Sequence, residues 1–233
     1  MKLCVIPARG GSKRILRKNI KKFCGQSIII YSIKTALESG CFDHIVVSTD
    51  DIKIANIAKS FGASVPFLRP KKLANDYAGT IPVVKHAIEW FDSQMQSPSE
   101  VCCVYPTAPF LNPISIRKAY NQMKRTRADY CFAATSFEFP IQRAIQISVD
   151  NRIKMLNPKF IKTRSQDLKK AYHDAGQFYW GKSKSWTAEK PLFSKNATPY
   201  ILPRYLVQDI DTLEDWKRAE LMYLALKKNK DLD

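Results

Sequence analysis

Two stretches far apart in the chain carry residue types that suit one chemistry. The first is Pro7-Ala8-Arg9-Gly10-Gly11-Ser12-Lys13, followed by Arg14, Arg17, Lys18 and Asn19. From Met1 to Lys22 there are eight Lys or Arg and no acid. Adjacent glycines let a backbone turn tightly and offer its N–H groups to an anion, and flanking Arg and Lys add charge-assisted bonds. Such a loop suits a polyphosphate. The second stretch is Asp209-Ile210-Asp211. At the end of a strand, a period of two aims both carboxylates to one face and Ile210 into the core, giving a hard-oxygen pair suited to Mg²⁺. Each stretch also has a plainer reading. The loop matches neither G-x-x-x-x-G-K-[ST] nor G-x-G-x-x-G and fits a basic turn after an edge strand. Asp211 with Glu214 fits a capping box for the last helix.

The remaining candidates are weaker. His44, His86 and His173 assemble into no Ser-His-Asp or Cys-His arrangement. The run His173-Asp174-Ala175-Gly176-Gln177-Phe178-Tyr179-Trp180 gathers polar and aromatic groups; by pattern alone, core aromatics with a turn glycine account for it better. Six cysteines include no C-x-x-C pair, which argues against a zinc site and for buried free thiols in a reducing compartment. The net charge of +17 implies attraction to polyanions. A nucleic-acid-binding protein is the reading from a different class, but no helix-turn-helix spacing or basic-aromatic motif supports it. No apolar run approaches the ~18 residues of a membrane span, and Pro7 and Arg9 interrupt the one candidate signal core. A cytoplasmic protein without membrane partners is expected.

The positioning elements read as alternating strands and helices, the mark of a parallel sheet with helices on its faces. Strands are predicted at Leu3 to Ile6, Ile45 to Ser48, Ser64 to Pro66, Val101 to Tyr105, Tyr130 to Thr135, Gly176 to Trp180, Tyr200 to Leu202 and Tyr205 to Ile210. Helices are predicted from Ile28 toward Gly40, from Asp51 to Phe61 with Thr49-Asp50 as cap, near Ile81 to Phe91, from Asn112-Pro113 to about Arg125, and from Thr212 to Lys228. In the last helix Leu213, Trp216, Leu221 and Leu224 are predicted to face inward. The alternation lapses over 137–172, where Ile145, Ile147 and Val149 precede an Asp150-Asn151 turn and a hairpin is expected.

Taken together, Ile6-Pro-Ala-Arg-Gly-Gly-Ser-Lys13 with Lys18-Asn19, Arg69-Pro-x-x-Leu-Ala-x-Asp76, Pro106-Thr-Ala-Pro109 and Asp209-Ile-Asp211 resemble the nonulosonic acid cytidylyltransferases, the CMP-sialic acid synthetase family. The resemblance implies a three-layer α/β nucleotide-diphospho-sugar transferase fold, mostly parallel, as a single domain over 1–233. It implies a hairpin and helix excursion over 137–172 for dimerisation and sugar contact. It implies CMP transfer from CTP to a sugar acid destined for surface or flagellin glycosylation, with Mg²⁺ and a homodimer. Ala8, Arg9, Asn19, Ala78 and Thr80 would contact the cytidine, and Arg69 the nucleotide. Arg9, Gly10, Gly11, Ser12 and Lys13 would hold the triphosphate, with Lys18 near the α-phosphate and Asp209 and Asp211 on the metal.

Within the family, Tyr105-Pro-Thr-Ala-Pro-Phe110, Arg164-Ser-Gln-Asp167 and Tyr172 to Trp180 look most like the branch that uses pseudaminic acid. Tyr105, Gln177, Phe178 and Tyr179 would then line the sugar, and Arg164 would pair with its carboxylate. Legionaminic and N-acetylneuraminic acid are the alternatives. Arg14-Ile15-Leu16 stands where sialic acid members commonly carry Gly-x-Pro, which leaves the loop less restricted in φ.

Overall fold

The computed structural model describes residues 1–229; the last four residues of the predicted domain lie outside the described ones. Strand β1 (Lys2–Pro7) leads into the basic loop and the small pair β2 (Lys22–Phe23) and β3 (Gln26–Ser27), then α1 (Ile28–Glu38). Next come β4 (His44–Ser48), α2 (Ile52–Ser60), α3 (Thr80–Gln94), β5 (Glu100–Val104), α4 (Pro113–Thr126) and β6 (Tyr130–Ser136). The hairpin β7 (Ile145–Ile147) and β8 (Ile153–Met155) precedes β9 (Tyr172–Lys182), α5 (Ser183–Thr187), β10 (Ala197–Ile201) and α6 (Leu213–Lys228). The sheet order is β10-β6-β9-β5-β1-β4. It is parallel except for β9, which runs antiparallel to both neighbours.

Alternation along the strands builds the three layers. Cys4 and Ile6 face α1, α2 and α4 with Cys102, Val104, Cys131, Phe178 and Trp180. Leu3 and Val5 face α3 and α5 with Val101, Cys103, Tyr130 and Tyr179. Both sheet faces are therefore dry, as expected of strands covered by helices on both sides. The cysteines are free, and those in β1, β5 and β6 are buried; burial pushes the Cys4, Cys102, Cys103 and Cys131 thiols up, so they behave as small apolar residues. No helix among the described residues is long and apolar enough to cross a membrane.

Several expectations are corrected. Ser64 makes one isolated parallel bridge to Val46, not a strand. The segment expected as a strand at Tyr205 to Ile210 is a single 3-10 turn at Arg204–Leu206 followed by irregular chain, because no neighbouring strand offers it a ladder. The α2 cap is Asp51, which accepts from the N–H groups of Lys53 and Ile54, while Thr49 and Asp50 stay outside the helix. The α6 box joins Thr212 to Asp215 in place of Asp211 to Glu214, because Thr212 holds the N-cap. In α6, Trp216, Ala219 and Leu226 are buried, whereas Leu213, Leu221 and Leu224 are exposed. The excursion over 137–172 holds the hairpin and three 3-10 turns but no α-helix.

Asp129, just before β6, is almost fully buried and ties three strands together. Its N–H donates to the Asn196 carbonyl, its own carbonyl accepts from Lys182, and its carboxylate pairs with Lys190 at 2.7 Å and Lys182 at 3.5 Å. The Lys190 hydrogen bond is the main cause that lowers its carboxyl from 3.8 to about 2, against the opposing effect of burial. A folded-state value below the unfolded one contributes stability that is complete above about pH 4 and is lost as pH falls through about 2. Asp129→Asn is expected to cost roughly 2 kcal/mol at pH 7, from about 1.4 kcal/mol per pKa unit. Urea midpoints of wild type and variant should converge as pH falls toward 2; a constant gap across pH would contradict this assignment.

Candidate active site

The basic loop leaves the sheet between β1 and β4, where the Ala8 N–H donates to the Ser48 carbonyl at 2.9 Å. Gly10 is required by its neighbour: a Cβ there would stand 2.9 Å from the Asp51 carboxylate. The Gly10 N–H donates to Asp50 at 2.9 Å. Asp51 both caps α2 and accepts from Arg17 at 2.9 and 3.1 Å. Burial alone would raise its carboxyl, but the helix N–H groups and Arg17 outweigh it and hold it below the usual range. Arg17 itself adopts a left-handed backbone with φ of 53°.

Greater freedom at Leu16 does not leave this loop loose. Leu16 is 80% exposed, but Ile15 is 2% exposed and packs with Phe23, Phe110, Ile210 and Trp216. The apolar contact thus joins the loop to the Asp209-Ile210-Asp211 segment. Polar contacts reinforce it. The Lys18 ammonium donates to the Ile210 carbonyl at 2.7 Å and lies 3.4 Å from Asp211. Arg14 pairs with Asp211 at 2.8 Å. Ile210 points into the core as predicted, although irregular chain, not a strand, carries it. The surroundings of Asp209, burial first and the Asp211 charge second, push its carboxyl up, so the two carboxylates sense each other.

The cations of the loop are opposed by acids from elsewhere in the chain. Asp76 accepts from Arg9 at 2.6 Å and pairs with Lys13 at 2.5 Å, and these two cations, Lys13 foremost, hold its carboxyl below the usual range. The loop partners Asp50, Asp51 and Asp76, and the anchoring parts of Arg14, Ile15 and Arg17, were not singled out as site residues from sequence. An acid-free run of eight basic residues is itself the signal that could have prompted a search for counter-charges.

Beside the loop is a cleft of about 210 Å³ lined by Pro7, Arg9, Lys18, Asn19, Arg69, Ala78, Gly79, Thr80 and Tyr105. Residues predicted from four separate stretches therefore meet in one place. Asn19 is buried and donates to the Arg9 carbonyl at 2.8 Å, which fixes the turn of the loop. Arg69 is buried and donates to the Ser48 carbonyl and, at 3.1 Å, to its hydroxyl; burial pulls its guanidinium down to about 10. Thr80 and Tyr105 share a hydrogen bond of 2.8 Å. Ala8 is buried and offers only its backbone, whereas Gly11 and Lys13 are exposed and Ser12 is partly so.

A second cavity, about 620 Å³, adjoins Asp209 and is lined also by His173, Asp174, Arg204, Gln208 and Arg218. The residues expected at the sugar divide. Tyr105 and Tyr179 pack with ring centroids 5.2 Å apart, and the Tyr179 hydroxyl bonds Asp174. Gln177 is buried, donating its side-chain amide to the Leu206 carbonyl at 2.5 Å and accepting at its own carbonyl from the Tyr105 N–H at 2.8 Å. Phe178 is wholly buried on the opposite sheet face, so it has no surface for a ligand; the core reading of that aromatic run holds for it. Gly176, with φ of 61°, lies within β9 where its register against β6 shifts, and so makes a bulge in the strand and not a turn. Arg164 is exposed in the excursion and lines neither cavity.

The chain is a nucleotidyltransferase, on the family model and the relatives it matches. A solved CMP:2-keto-3-deoxy-manno-octonic acid synthetase, complexed with CTP, superposes with a TM-score of 0.71 at 13% identity, covering 96% of this chain and 98% of that one. The cytidylyltransferase family model matches residues 3–223, and the chain belongs to that family. Pseudaminic acid cytidylyltransferase of Campylobacter jejuni is 50% identical over 221 residues, 95% of each chain. The CMP-N,N'-diacetyllegionaminic acid synthase of Legionella pneumophila is 32% identical over 94% of each.

Ile15→Ala removes the apolar pin. Core truncations of this kind cost about 2 to 5 kcal/mol. Trypsin should then cut within 9–22 faster than in wild type; equal cleavage rates would show that the ion pairs alone hold the loop.

Proposed function

We propose that this chain transfers CMP from CTP to the anomeric hydroxyl of pseudaminic acid and releases pyrophosphate. The observation that carries the reading is the Lys18 clamp, 2.7 Å from the Ile210 carbonyl, which brings a polyphosphate-type loop and a carboxylate pair from opposite ends of the chain to one site. The choice of sugar rests on the 50% identity to the Campylobacter enzyme, against 32% to the legionaminic acid enzyme. Tyr105, backed by Tyr179, lines the smaller cleft, and it offers a sugar that reaches in from the larger cavity an aromatic flank, which suits a ligand bearing acylamino and methyl groups.

In this reading Arg69, Asn19, Ala78 and Thr80 hold the nucleoside in the smaller cleft. Arg9 and Lys13 neutralise the β- and γ-phosphates and Ser12 donates its hydroxyl to them, so that charge on the departing pyrophosphate is stabilised as it develops. Lys18 lies between the loop and the carboxylates and steadies the α-phosphate for in-line attack from the side of the larger cavity.

Asp209 and Asp211 suit Mg²⁺. No cluster of three or more His, Cys, Asp or Glu that could hold a metal occurs among the described residues, and Mg²⁺ commonly takes one or two carboxylates and completes its shell with phosphate and water. Bound there, it would supply charge stabilisation at the α-phosphate and acidify the attacking hydroxyl.

Turnover with CTP and pseudaminic, legionaminic or N-acetylneuraminic acid, followed by pyrophosphate release, tests the reading. Pseudaminic acid should exceed the others in kcat/KM by about 100-fold or more, the discrimination a site matched to substrate polarity achieves. Comparable values for all three would remove the sugar assignment, and no release with any would remove the function.

The reading includes a homodimer formed through the excursion, where Ile147, Val149 and Ile153 are 67%, 109% and 71% exposed on the hairpin. Apolar side chains gathered on one small hairpin are costly to leave in water and mark an interaction surface. The double variant Ile147→Asp with Val149→Asp should run as a monomer in light scattering where wild type runs as a dimer. A wild-type monomer at micromolar concentration would contradict the pairing.

A further inference from the structure

The loop from Pro70 to Gly79 is fastened firmly at its ends and lightly at its tip. At one end Arg69 is buried against Ser48, and at the other Thr80 begins α3 and bonds Tyr105. Between them the chain holds its own shape. The Asn75 side chain accepts from the N–H groups of Tyr77 and Ala78 at 2.9 Å and donates to the Lys72 carbonyl at 2.9 Å. Tyr77, at 96% exposure, packs on nothing that would hold the tip down. Among the described residues, the ion pairs from this loop to the basic loop are both made by Asp76, to Arg9 and Lys13.

Those two cations are the ones the proposed function gives to the β- and γ-phosphates. We propose that Asp76 stands in for a phosphate in the ligand-free protein, and that polyphosphate binding displaces it from Arg9 and Lys13 and frees the loop tip. The inference rests on the functional reading above and adds an exchange step to it. A carboxylate brings one negative charge to two cations, while a di- or triphosphate brings several, with oxygens to accept from both. The ion pairs of Asp76 lie at the surface, with Lys13 81% exposed, where solvent screens them and they are easily broken. Ala78 and Thr80 line the same cleft as Arg9, so the tip that Asp76 restrains is continuous with the wall of the nucleoside pocket.

An alternative role has the opposite sign. Were Asp76 a brace that orients Arg9 and Lys13 for phosphate, its removal would weaken phosphate binding; as a stand-in, its removal strengthens it. Calorimetry with inorganic pyrophosphate, in magnesium-free buffer, separates the two using wild type, Asp76→Asn and Asp76→Glu. Asp76→Asn should bind pyrophosphate about 3- to 10-fold more tightly, as expected from loss of two exposed competing pairs, with Asp76→Glu close to wild type. Pyrophosphate should also speed tryptic cleavage of wild type after Lys71 and Lys72, and cleavage of Asp76→Asn should be fast with or without it. Unchanged or weaker pyrophosphate binding by Asp76→Asn overturns the exchange while leaving the polyphosphate site intact. Failure of all three proteins to bind pyrophosphate overturns the functional reading and the exchange together.

Discussion

The structure depends on a contact between the two ends of the chain. Lys18 donates to the carbonyl of Ile210, and beneath it Ile15 packs with Ile210 and Trp216. The polar and apolar halves of this contact do different work. The apolar half supplies the driving force, since a nearly dry Ile side chain against aromatic neighbours gains from every atom removed from water. The polar half sets direction, because a single ammonium satisfied by a carbonyl and a nearby carboxylate can sit in few places. Ring contacts of Phe23 and Tyr31 with Trp216 and Tyr223 also seat α6; the Ile15 and Lys18 contact is what holds the segment leading into it, and with it the carboxylate pair, against the cations.

Charge in this region follows from the same arrangement. Five basic residues between positions 9 and 18 meet carboxylates at Asp51, Asp76 and Asp211, each contributed by a different part of the chain. The loop is therefore compensated without ligand, which lets a concentrated positive charge fold without self-repulsion. The acids differ in how tightly they are committed. Asp51 is tied to a helix N-terminus as well as to Arg17, so it is a permanent part of the scaffold. Asp76 has only its ion pairs, at the surface, and Asp211 shares Arg14 and Lys18 near a second carboxylate that is hard to ionise beside it.

Much of this was legible in the sequence. Short apolar runs separated by capping residues gave the parallel sheet, and Asn112-Pro113 marked the start of α4 at the residue where Asn112 caps it. Motifs at 6–19, 69–76 and 209–211, with Ala78 and Thr80 named beside them, gave residues that line one cleft and its border. What could not be read depended on neighbours. The strand expected at Tyr205 to Ile210 has the right alternation but no partner, and pairing is not a local property. The leucines of α6 look like a core stripe, yet Trp216, Ala219 and Leu226 take the buried face because the surface beneath is narrow, formed by Phe23, Tyr31 and Ile15. Phe178 and Tyr179 are adjacent and aromatic, and only the pleat decides that one enters the core while the other backs Tyr105. Asp76 pairs across 67 residues with Arg9, a distance at which no motif predicts contact.

The central claim is that the basic loop and the carboxylate pair serve one reacting phosphate. A crystal of the protein with a non-hydrolysable CTP analogue and Mn²⁺ in place of Mg²⁺, measured at the manganese absorption edge, tests it most directly. The account predicts one anomalous peak within bonding distance of Asp209, Asp211 and an α-phosphate oxygen, with Lys18 beside that phosphate. Manganese bound elsewhere, or an α-phosphate remote from both carboxylates, would contradict it.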